Sequence, residues 1–424
     1  MTDEGGKPTT VLPERGRPGL FEAFGVEIET MIVDAGTLSV RPECDQLMAR
    51  VGGSPDADVE FGDIAWSNEL SLHVLELKTN GPASSLSGLV GSFRDSVRRA
   101  NRELAGMGAR LMPGAVHPWM DPHVETRLWP HEYTEVYHAF DRIFGCSGHG
   151  WANLQSTHLN LPFRNDEEFG HLHAAVRLVL PLIPALSAAS PYLDGVRTDT
   201  LDSRLVAYRG NARRVPSVTG LVVPEPAFTQ EEYEREILGR IYADMAPLDP
   251  EGVLRHEWAN ARGAIARFDR GTVEIRVIDA QECPSADLAV VAAVTEVVRA
   301  LAVGPLSRRD LAKDPSTEEL ADLLVETTAT ADEATVAVPG LLRVLGLGSD
   351  ARSAGDVWRD LLDRFPPDDP GREWTGSLWS ILRDGPLSRR LVSSLGGSPD
   401  RTRLHDVYGR LCECLDRNEA FSLR

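Results

Sequence analysis

Polar side chains interrupt four segments of the chain that otherwise have the pattern of buried β-strands, and three of the four carry carboxylates. In the first, residues 24–33, period-two alternation places Glu27 and Glu29 on one face and Val26, Ile28 and Ile32 on the other. An isolated pair of this kind is more often a solvated strand face. The recurrence of the pattern downstream favours a shared site, and clustered carboxylate oxygens are the ligands that Mg²⁺ prefers.

The second segment, residues 67–79, carries another acidic pair. Glu76 is embedded among Val74, Leu75 and Leu77, where a carboxylate is costly to bury unless it is paired or bound to a cation. Glu69 lies seven residues earlier, so the two side chains would face opposite ways on one continuous strand. We therefore predict a turn or bulge near Glu69 if both acids serve one site.

The third segment combines a histidine with an amide. In residues 153–161, Ser156, His158 and Asn160 share one strand face. A lone histidine is more often a structural residue with satisfied hydrogen bonds. A neutral imidazole and an amide oxygen on one polar face can also reach a metal ion or a substrate, so this face is a candidate part of the site.

The fourth segment, residues 264–279, pairs a carboxylate with a guanidinium. Glu274 and Arg276 lie on one strand face, and Val273, Ile275 and Val277 lie on the opposite one. Two interpretations are compatible with this pattern. The residues form a plain ion pair, or they lie at a metal site beside an anionic substrate.

Two arginine-rich stretches, residues 197–220 and 255–276, stand out against an acidic background. The chain has 44 Lys and Arg residues against 64 Asp and Glu residues, and its formal net charge of −20 argues against general binding of nucleic acid or of an anionic membrane. Locally positive pockets in such a protein indicate small anions, because arginine binds carboxylate and phosphate in a bidentate manner. For each single arginine, a surface salt bridge remains an alternative.

Composition and segment lengths argue against several classes of protein and site. The longest apolar stretch, residues 178–189, contains two prolines and is shorter than the roughly 20 residues that span a bilayer. Residues 1–19 have no apolar signal-peptide region, so we predict a cytoplasmic protein. The five cysteines are scattered and are interpreted as reduced thiols. The absence of the glycine-rich phosphate-binding motifs argues against a Rossmann or P-loop nucleotide site.

The patterns predict three regions in the 424 residues. Residues 1–19 are expected to be a flexible N-terminal segment, residues 20–304 an α+β catalytic domain, and residues 305–424 a helical region without a convincing strand. In that last region, residues 314–318 predict the start of a helix, and residues 366–371 predict a turn between helices.

The order of these motifs resembles the glutamate-cysteine ligase family, in particular the bacterial type-2 glutamate-cysteine ligase and carboxylate-amine ligase branch. The resemblance is collinear over roughly residues 20–305. It rests on the following motifs: residues 25–29, the pair Glu69 and Glu76 with its spacing, residues 112–118, residues 185–192 followed by Ser203 and Arg204, and residues 271–279. One departure lies in the third strand, where the branch usually has His-x-His-x-Gly and this chain has residues 156–160, with His158 and Asn160 closer to the His-x-Asn of other glutamate-cysteine ligases. The tract 257–263 is not placed in the family pattern.

The resemblance implies a glutamine-synthetase-like fold, in which an antiparallel sheet curves into a half-funnel flanked by helices, with metals and ATP phosphates on the concave face. It implies an ATP-dependent ligase that uses Mg²⁺ or Mn²⁺ and converts a carboxylate to an acyl phosphate, which an amine then attacks. Glutamate is the expected acid and cysteine the expected amine. The expected partners are these small molecules, with no nucleic acid and no membrane, and a homodimer is expected from the family.

The resemblance also implies roles for the candidate residues. The predicted metal ligands are Glu27, Glu29, Glu69, Glu76, His158 and Glu274. The predicted substrate and ATP contacts are His158, Asn160, Arg204, Arg267, Arg270 and Arg276. Arg204 and Arg276 are also the predicted catalytic residues, because arginine neutralises a transferring phosphoryl group or holds a substrate carboxylate.

Two other functions stay open on the sequence. A phosphotransferase on the related guanidino-kinase scaffold would stop after phosphoryl transfer, and amine-dependent product formation separates it from a ligase. A non-catalytic binding protein on the same fold would be expected to lack metal carboxylates, which the sequence retains.

Overall fold

The computed structural model describes residues 16–307 and 315–422. The strands are β1 (Gly25–Asp34), β2 (Val59–Phe61), β3 (Ile64–Asn68), β4 (Val74–Thr79), β5 (Ala109–Met112), β6 (Ser156–Pro162), β7 (Tyr192–Leu193), β8 (Val196–Arg197), β9 (Ala264–Arg267), β10 (Thr272–Asp279), β11 (Thr335–Val336) and β12 (Arg352–Ser353). Most of residues 1–19, which were predicted to be flexible, lie outside the described residues.

Helices surround the strands. They are α1 (Cys44–Gly52), α2 (Leu89–Ala105), α3 (Pro122–Glu125), α4 (Thr134–Phe144), α5 (His149–Ala152), α6 (Asp166–Val179), α7 (Pro184–Ser187), α8 (Ser203–Gly210), α9 (Gln230–Tyr233), α10 (Gly239–Met245), α11 (Pro284–Ala302), α12 (Thr317–Thr330), α13 (Pro339–Val344), α14 (Ala354–Arg364), α15 (Thr375–Asp384), α16 (Leu387–Leu395) and α17 (Arg401–Arg417). Within the described ranges, none of these helices is long and apolar enough to cross a membrane.

Eight of the strands form one antiparallel sheet in the order β2-β3-β4-β1-β6-β10-β9, with β5 paired to the end of β1. Its register brings the polar residues of separate segments side by side. The directly opposed pairs are Glu27 and His158, Glu29 and Glu76, and Glu274 and Asn160. The predicted fold class, an α+β protein with an antiparallel sheet flanked by helices, is confirmed.

The other face of the sheet belongs to the hydrophobic core. Val26, Ile28, Leu159 and Ile275 are each less than 5% exposed and join one core cluster, against which α2, α6 and α11 pack. Because side chains alternate between the two faces, the same strands supply the core and the polar face.

Two segments that were read as single strands are hairpins. β3 ends at Asn68 and β4 begins at Val74, so Glu69 lies in their connection and the predicted turn is confirmed. The segment 264–279 divides into β9 and β10, which are joined by a turn at Gly271. The φ of Gly271 is +69°, a left-handed conformation that glycine adopts without steric cost.

The C-terminal helices pack around this sheet. α12 contacts the 3₁₀ turn Leu180–Leu182, and α17 contacts α2 and β5. α12 begins with a capping box between Ser316 and Glu319, which confirms the predicted helix start, although residue 314 lies outside the described residues.

The expectation of no strand beyond residue 305 is wrong, because β11 pairs with β12, two strands too short to give a repeating pattern. The three-region division stays a prediction.

Candidate active site

The polar face of the sheet lines a cavity of about 870 Å³. Strands β1, β4, β6 and β10 form its floor, and α4, α5, α8 and the turn around Trp258 contribute its walls. All the residues predicted for the site line this cavity: Glu27, Glu29, Glu69, Glu76, His158, Asn160, Arg204, Arg267, Arg270, Glu274 and Arg276.

His158 lies among three of the glutamates. Its Nδ1 is 3.0 Å from Oε2 of Glu27 and 3.8 Å from Oε1 of Glu274, and its Nε2 is 3.8 Å from Oε1 of Glu29. Burial acts to lower the pKa of His158, but the hydrogen bond to Glu27 and the charges of Glu29, Glu27 and Glu274 raise it above its usual value. Burial acts to raise the pKa of Glu27, and the contact with His158 lowers it to about 2.

Two groups of side chains present ligand atoms close enough together to hold a metal ion. One consists of Glu27, Glu76 and His158, and the other of Glu29, Glu69 and Glu76; within each group these atoms lie within 4.8 Å of one another. Carboxylate oxygens fit the preference of Mg²⁺ for hard ligands. Glu76 belongs to both groups.

Like charges crowd the second group. Burial and the charges of Glu76 and Glu29 raise the pKa of Glu69 well above its usual value. Burial and the charge of Glu27 also raise the pKa of Glu76, against the opposing effects of Lys78 and Ser67. A bound cation would offset the repulsion between these carboxylates and favour their charged forms, so the donor set fits a divalent metal.

Glu274 makes different contacts from the other predicted metal ligands. Its Oε1 accepts a 2.6 Å bond from Nε of Arg276, and its Oε2 is 3.6 Å from Nη1 of Arg267. It belongs to neither of the two groups of candidate ligands found in the described residues. Its position supports the two arginines, and its assignment as a metal ligand stays a prediction.

Arg204 and Arg276 lie next to each other. Arg204 is 2% exposed; its Nε donates to Asp279 at the end of β10, and its Nη2 donates to the carbonyl oxygen of Arg276 at 3.2 Å. The side chain of Arg276 is 23% exposed and stays accessible from the cavity. Tyr208, one helical turn beyond Arg204 on α8, also lines the cavity.

Arg267 and Arg270 differ in how they are paired. Arg267 is 6% exposed and is surrounded by acids, with Asp269 at 3.0 Å, Glu274 at 3.6 Å and Glu257 at 3.8 Å. Arg270 is exposed at the β9–β10 turn and makes no ion pair with the described residues. Of these two arginines, Arg270 therefore has the guanidinium that is available to an incoming anion.

Several residues of the cavity were not found from the sequence. Lys78 lies 3.5 Å from Glu76, and Ser67 donates a 2.5 Å hydrogen bond to the same carboxylate. Strand alternation could have identified Lys78, which is two residues beyond Glu76 on the same face. The aromatic residues of the cavity walls come from α4, α5 and the loop before β9, and no spacing in the sequence connects them.

The model of glutamate-cysteine ligase family 2 matches residues 23–401. The chain belongs to this family. A protein of Archaeoglobus fulgidus without an assigned activity is 35% identical over 403 residues, which cover 94% of this chain and all of the relative. A Rubrobacter xylanophilus protein provisionally named glutamate–cysteine ligase 2-1 is 27% identical over 70% of this chain and 71% of its own length.

Two solved structures have a similar fold. The glutamate–cysteine ligase of Francisella tularensis in complex with AMP superposes with a TM-score of 0.61 at 13% identity, covering 95% of this chain and 90% of that one. The bifunctional glutathione synthetase of Pasteurella multocida gives 0.60 at 12% identity, covering 94% and 53%. The family resemblance predicted from the motifs is confirmed, and this member of glutamate-cysteine ligase family 2 is a ligase.

The departure at Asn160 has a structural role in this family member. Its Nδ2 donates a 3.2 Å hydrogen bond to Oε1 of Glu27, while His158 holds Oε2 of the same carboxylate. Both oxygens of Glu27 are therefore held by β6. Asn160 orients a candidate metal ligand, whatever contact it also makes with substrate.

Proposed function

We propose that the protein is an ATP-dependent carboxylate-amine ligase that activates the γ-carboxylate of glutamate as an acyl phosphate and joins it to an amine, with cysteine as the amine expected from the family. The observation that carries this proposal is the pair of acidic groups sharing Glu76, with Arg276 at the same cavity. The AMP bound to the Francisella tularensis enzyme supports a nucleotide as the second substrate.

The acidic groups are the proposed Mg²⁺ ligands. Glu27, Glu76 and His158 would hold one ion, and Glu29, Glu69 and Glu76 another. When bound there, Mg²⁺ supplies charge neutralisation and polarisation of the ATP phosphates. The protein contributes fixed oxygen donors, and it orients Glu27 through His158 and Asn160.

In the first proposed step, a carboxylate oxygen of the acid attacks the γ-phosphorus of ATP, and the bond to the bridging oxygen of ADP breaks. Little covalent chemistry is required of the protein, because positioning and charge stabilisation account for most of the catalysis of phosphoryl transfer. Arg276 faces the cavity and Glu274 fixes its direction, so we assign it to the transferring group or to the substrate carboxylate. Arg270 is assigned to the phosphates of the incoming nucleotide.

In the second step, the amine nitrogen attacks the acyl carbon. The new C–N bond forms as the C–O bond to phosphate breaks, and the departing phosphate takes up the proton that a neutral amine loses. Arg204 and Arg267 are expected to stabilise negative charge at the cavity wall, while their ion pairs with Asp279 and Asp269 keep them in place.

The test is acid-dependent ATP cleavage with trapping of the activated acid. With ATP, Mg²⁺ and glutamate, ADP release should rise well above the rate without acid, and hydroxylamine should yield a glutamyl hydroxamate detected by mass spectrometry. If ADP release is independent of every carboxylic acid tried and no hydroxamate forms, the proposal is wrong. Amine-dependent amide formation then separates a ligase from a phosphotransferase.

A further inference from the structure

Lysine is rare in this chain. Of its 44 basic residues, three are lysines, Lys7, Lys78 and Lys313, and the others are arginines. Lys78 is the one of the three that falls within the described residues, and it lines the cavity beside Glu76. A chain that uses arginine almost everywhere else therefore has an ammonium group next to the acid that both candidate metal groups share.

Two carboxylates hold Lys78. Its Nζ lies 3.2 Å from Oδ2 of Asp58, the residue before β2, and 3.5 Å from Oε1 of Glu76. Burial acts to lower the pKa of Lys78, but the charges of Glu76, Asp58 and Glu27 raise it above its usual value. The protonated amine has three N–H donors and no acceptor, so Lys78 is a cation of the cavity and not a base.

The sheet register places Lys78 in one row with two candidate metal ligands. Lys78 of β4 is directly opposite Glu27 of β1, which is in turn directly opposite His158 of β6. Directly opposed residues of an antiparallel pair lie on the same face of the sheet. The ammonium, the carboxylate and the imidazole therefore line the cavity in adjacent positions, and Lys78 borders the first proposed metal position.

A second cation lies near Glu27. Burial acts to raise the pKa of Glu27, and His158 is the main group that lowers it, to about 2. The charges of Arg270 and Lys78 contribute to the same lowering, so both cations lie close to this carboxylate. Lys78 comes from β4 on one side of β1, and Arg270 comes from the β9–β10 turn, beyond β6 on the other side. An anion bound over Glu27 through a metal would meet a positive group on each side.

Metal binding would change the charge around Lys78. Glu27 and Glu76 attract its ammonium, and both belong to the proposed metal groups. Divalent ions bound to these carboxylates would offset that attraction and would place like charges next to Nζ. Asp58 belongs to neither group found in the described residues, so it would remain the anchor of the ammonium. The N–H donor that faces Glu76 would then be available to an anion.

We infer that Lys78 binds a phosphate oxygen of the nucleotide and couples nucleotide binding to metal binding, because its ammonium exchanges Glu76 for the phosphate when the metal binds Glu76. The inference rests on the proposed ligase function and adds a phosphate ligand to it. A lysine suits an exchange of partners, since its ammonium is a compact charge on a flexible stem, whereas the planar guanidinium of arginine binds with a fixed geometry. Asp58 is the positioning residue that keeps the ammonium at the cavity wall.

The first experiment compares Lys78→Met with the wild-type protein. Titration calorimetry at pH 8.0 measures the Kd of Mn²⁺ alone, and then the Kd of the β,γ-imido analogue of ATP at saturating Mn²⁺. Mn²⁺ should bind Lys78→Met about tenfold more tightly, because a positive charge that competes for Glu76 is removed. The ATP analogue should bind about 10–100-fold more weakly, because a charge-assisted hydrogen bond to phosphate is lost.

The opposite signs of these two effects distinguish the inferred role from a structural ion pair. If Lys78 only keeps Glu76 in place, its loss should weaken the binding of Mn²⁺ as well as that of the analogue, and this result overturns the inference. Unchanged binding of the analogue overturns it too. Arg50→Met is the matched control, since Arg50 is 51% exposed on α1, pairs with Glu103 and does not line the cavity; it should change neither Kd.

The second experiment uses the wild-type protein and therefore does not depend on the folding of a variant. The protein is treated with N-acetoxysuccinimide, which acetylates amines, and the peptide that contains Lys78 is followed by mass spectrometry. The β,γ-imido analogue with Mn²⁺ should slow its acetylation about tenfold or more relative to Mn²⁺ alone, because the phosphate occupies the ammonium. Adenosine with Mn²⁺ should not slow it. Equal rates with and without the analogue, or equal protection by adenosine, would overturn the inference.

Failure of this inference and failure of the proposed function give different results. Hydroxamate formation by the wild-type protein, together with unchanged binding of the analogue to Lys78→Met, would refute the role of Lys78 and leave the ligase function standing. Absence of acid-dependent ADP release and of hydroxamate in the wild-type protein would refute the ligase function and the inference with it.

Discussion

Nε of Arg276 lies 2.6 Å from Oε1 of Glu274, two residues earlier on the same face of β10. The pair lines the cavity, and the side chain of Glu274 is 2% exposed while that of Arg276 is 23% exposed. The carboxylate is thus held within the protein and the guanidinium extends from it toward the cavity. Such an arrangement gives an arginine a fixed direction as well as a charge.

We expect Arg276→Lys to keep the folded structure and to lose most of its activity. Lysine retains the positive charge but cannot reproduce the planar, bidentate guanidinium. Loss of one preorganised donor typically lowers kcat about 10²–10³-fold. Melting temperature and kcat measured on this variant test the assignment, with Arg235→Lys, at an exposed ion pair with Glu236, as the control. An active enzyme with a lowered melting temperature would make the ion pair purely structural.

Glu76→Gln should abolish the metal-dependent activity, because Glu76 belongs to both candidate ligand groups. The loss of Mn²⁺ affinity, measured by titration calorimetry, should exceed the roughly 10–100-fold that follows the loss of a residue that only supports a ligand. Glu60→Gln, an exposed residue of β2 in the same sheet, is the control. Unchanged Mn²⁺ binding in Glu76→Gln would remove both proposed metal positions.

Asp287 predicts a specific pH dependence of stability. It is buried in the first turn of α11, where Oδ1 accepts bonds from the hydroxyl of Thr157 and the amide of Gln281, and burial raises its pKa to about 7. The folded state therefore binds a proton that the unfolded state releases near its ordinary pKa of 3.8. Stability from this group is present below that value and is lost as the pH rises to about 7.

The corresponding variant is Asp287→Asn, which stays neutral over this range. Its free energy of unfolding in urea, measured from pH 4 to 7 with a chelator present, should fall less steeply than that of the wild-type protein, by about 1.4 kcal/mol per pH unit at most. Asp322→Asn, at an exposed position of α12, should follow the wild-type curve. Parallel curves for Asp287→Asn and the wild-type protein would contradict the prediction.

Arg390→Ala should destabilise the protein by about 3–5 kcal/mol, because it leaves the buried carboxylate of Glu282 without its partner. The two side chains are 1% and 0% exposed, and their closest atoms are 2.5 Å apart. Urea unfolding measures the effect. The double variant Arg390→Met with Glu282→Gln should recover part of the loss, because it removes the buried charges together; a double variant as unstable as the single one would assign the effect to packing.

Strand alternation was sufficient to predict the polar face of the sheet. The shared face of Ser156, His158 and Asn160, and the turn that had to intervene near Glu69, were both readable because they depend on the period of a single chain segment. The convergence of these segments on one cavity was anticipated by the family resemblance and not by the spacing itself.

Which arginines form buried ion pairs and which stay exposed could not be predicted from strand alternation. Arg204 is buried against Asp279, which lies 75 residues further along the chain, whereas Arg270 is exposed at a turn. No local pattern distinguishes the two, because the difference depends on tertiary packing. The aromatic side chains that line the cavity had no signal for a related reason: Trp258 and Phe140 meet only when the loop before β9 folds back over α4.

Phe421 stabilises the segment that follows β10. The amide of Phe421 donates to Glu282, and its carbonyl oxygen accepts a hydrogen bond from Arg390. Glu282 lies three residues after Asp279, where β10 ends. A truncation before Phe421 would thus cause a folding defect close to β10 while leaving every cavity residue in the sequence. Protein engineering that removes Phe421 would change enzyme yield and lifetime before it changed substrate preference.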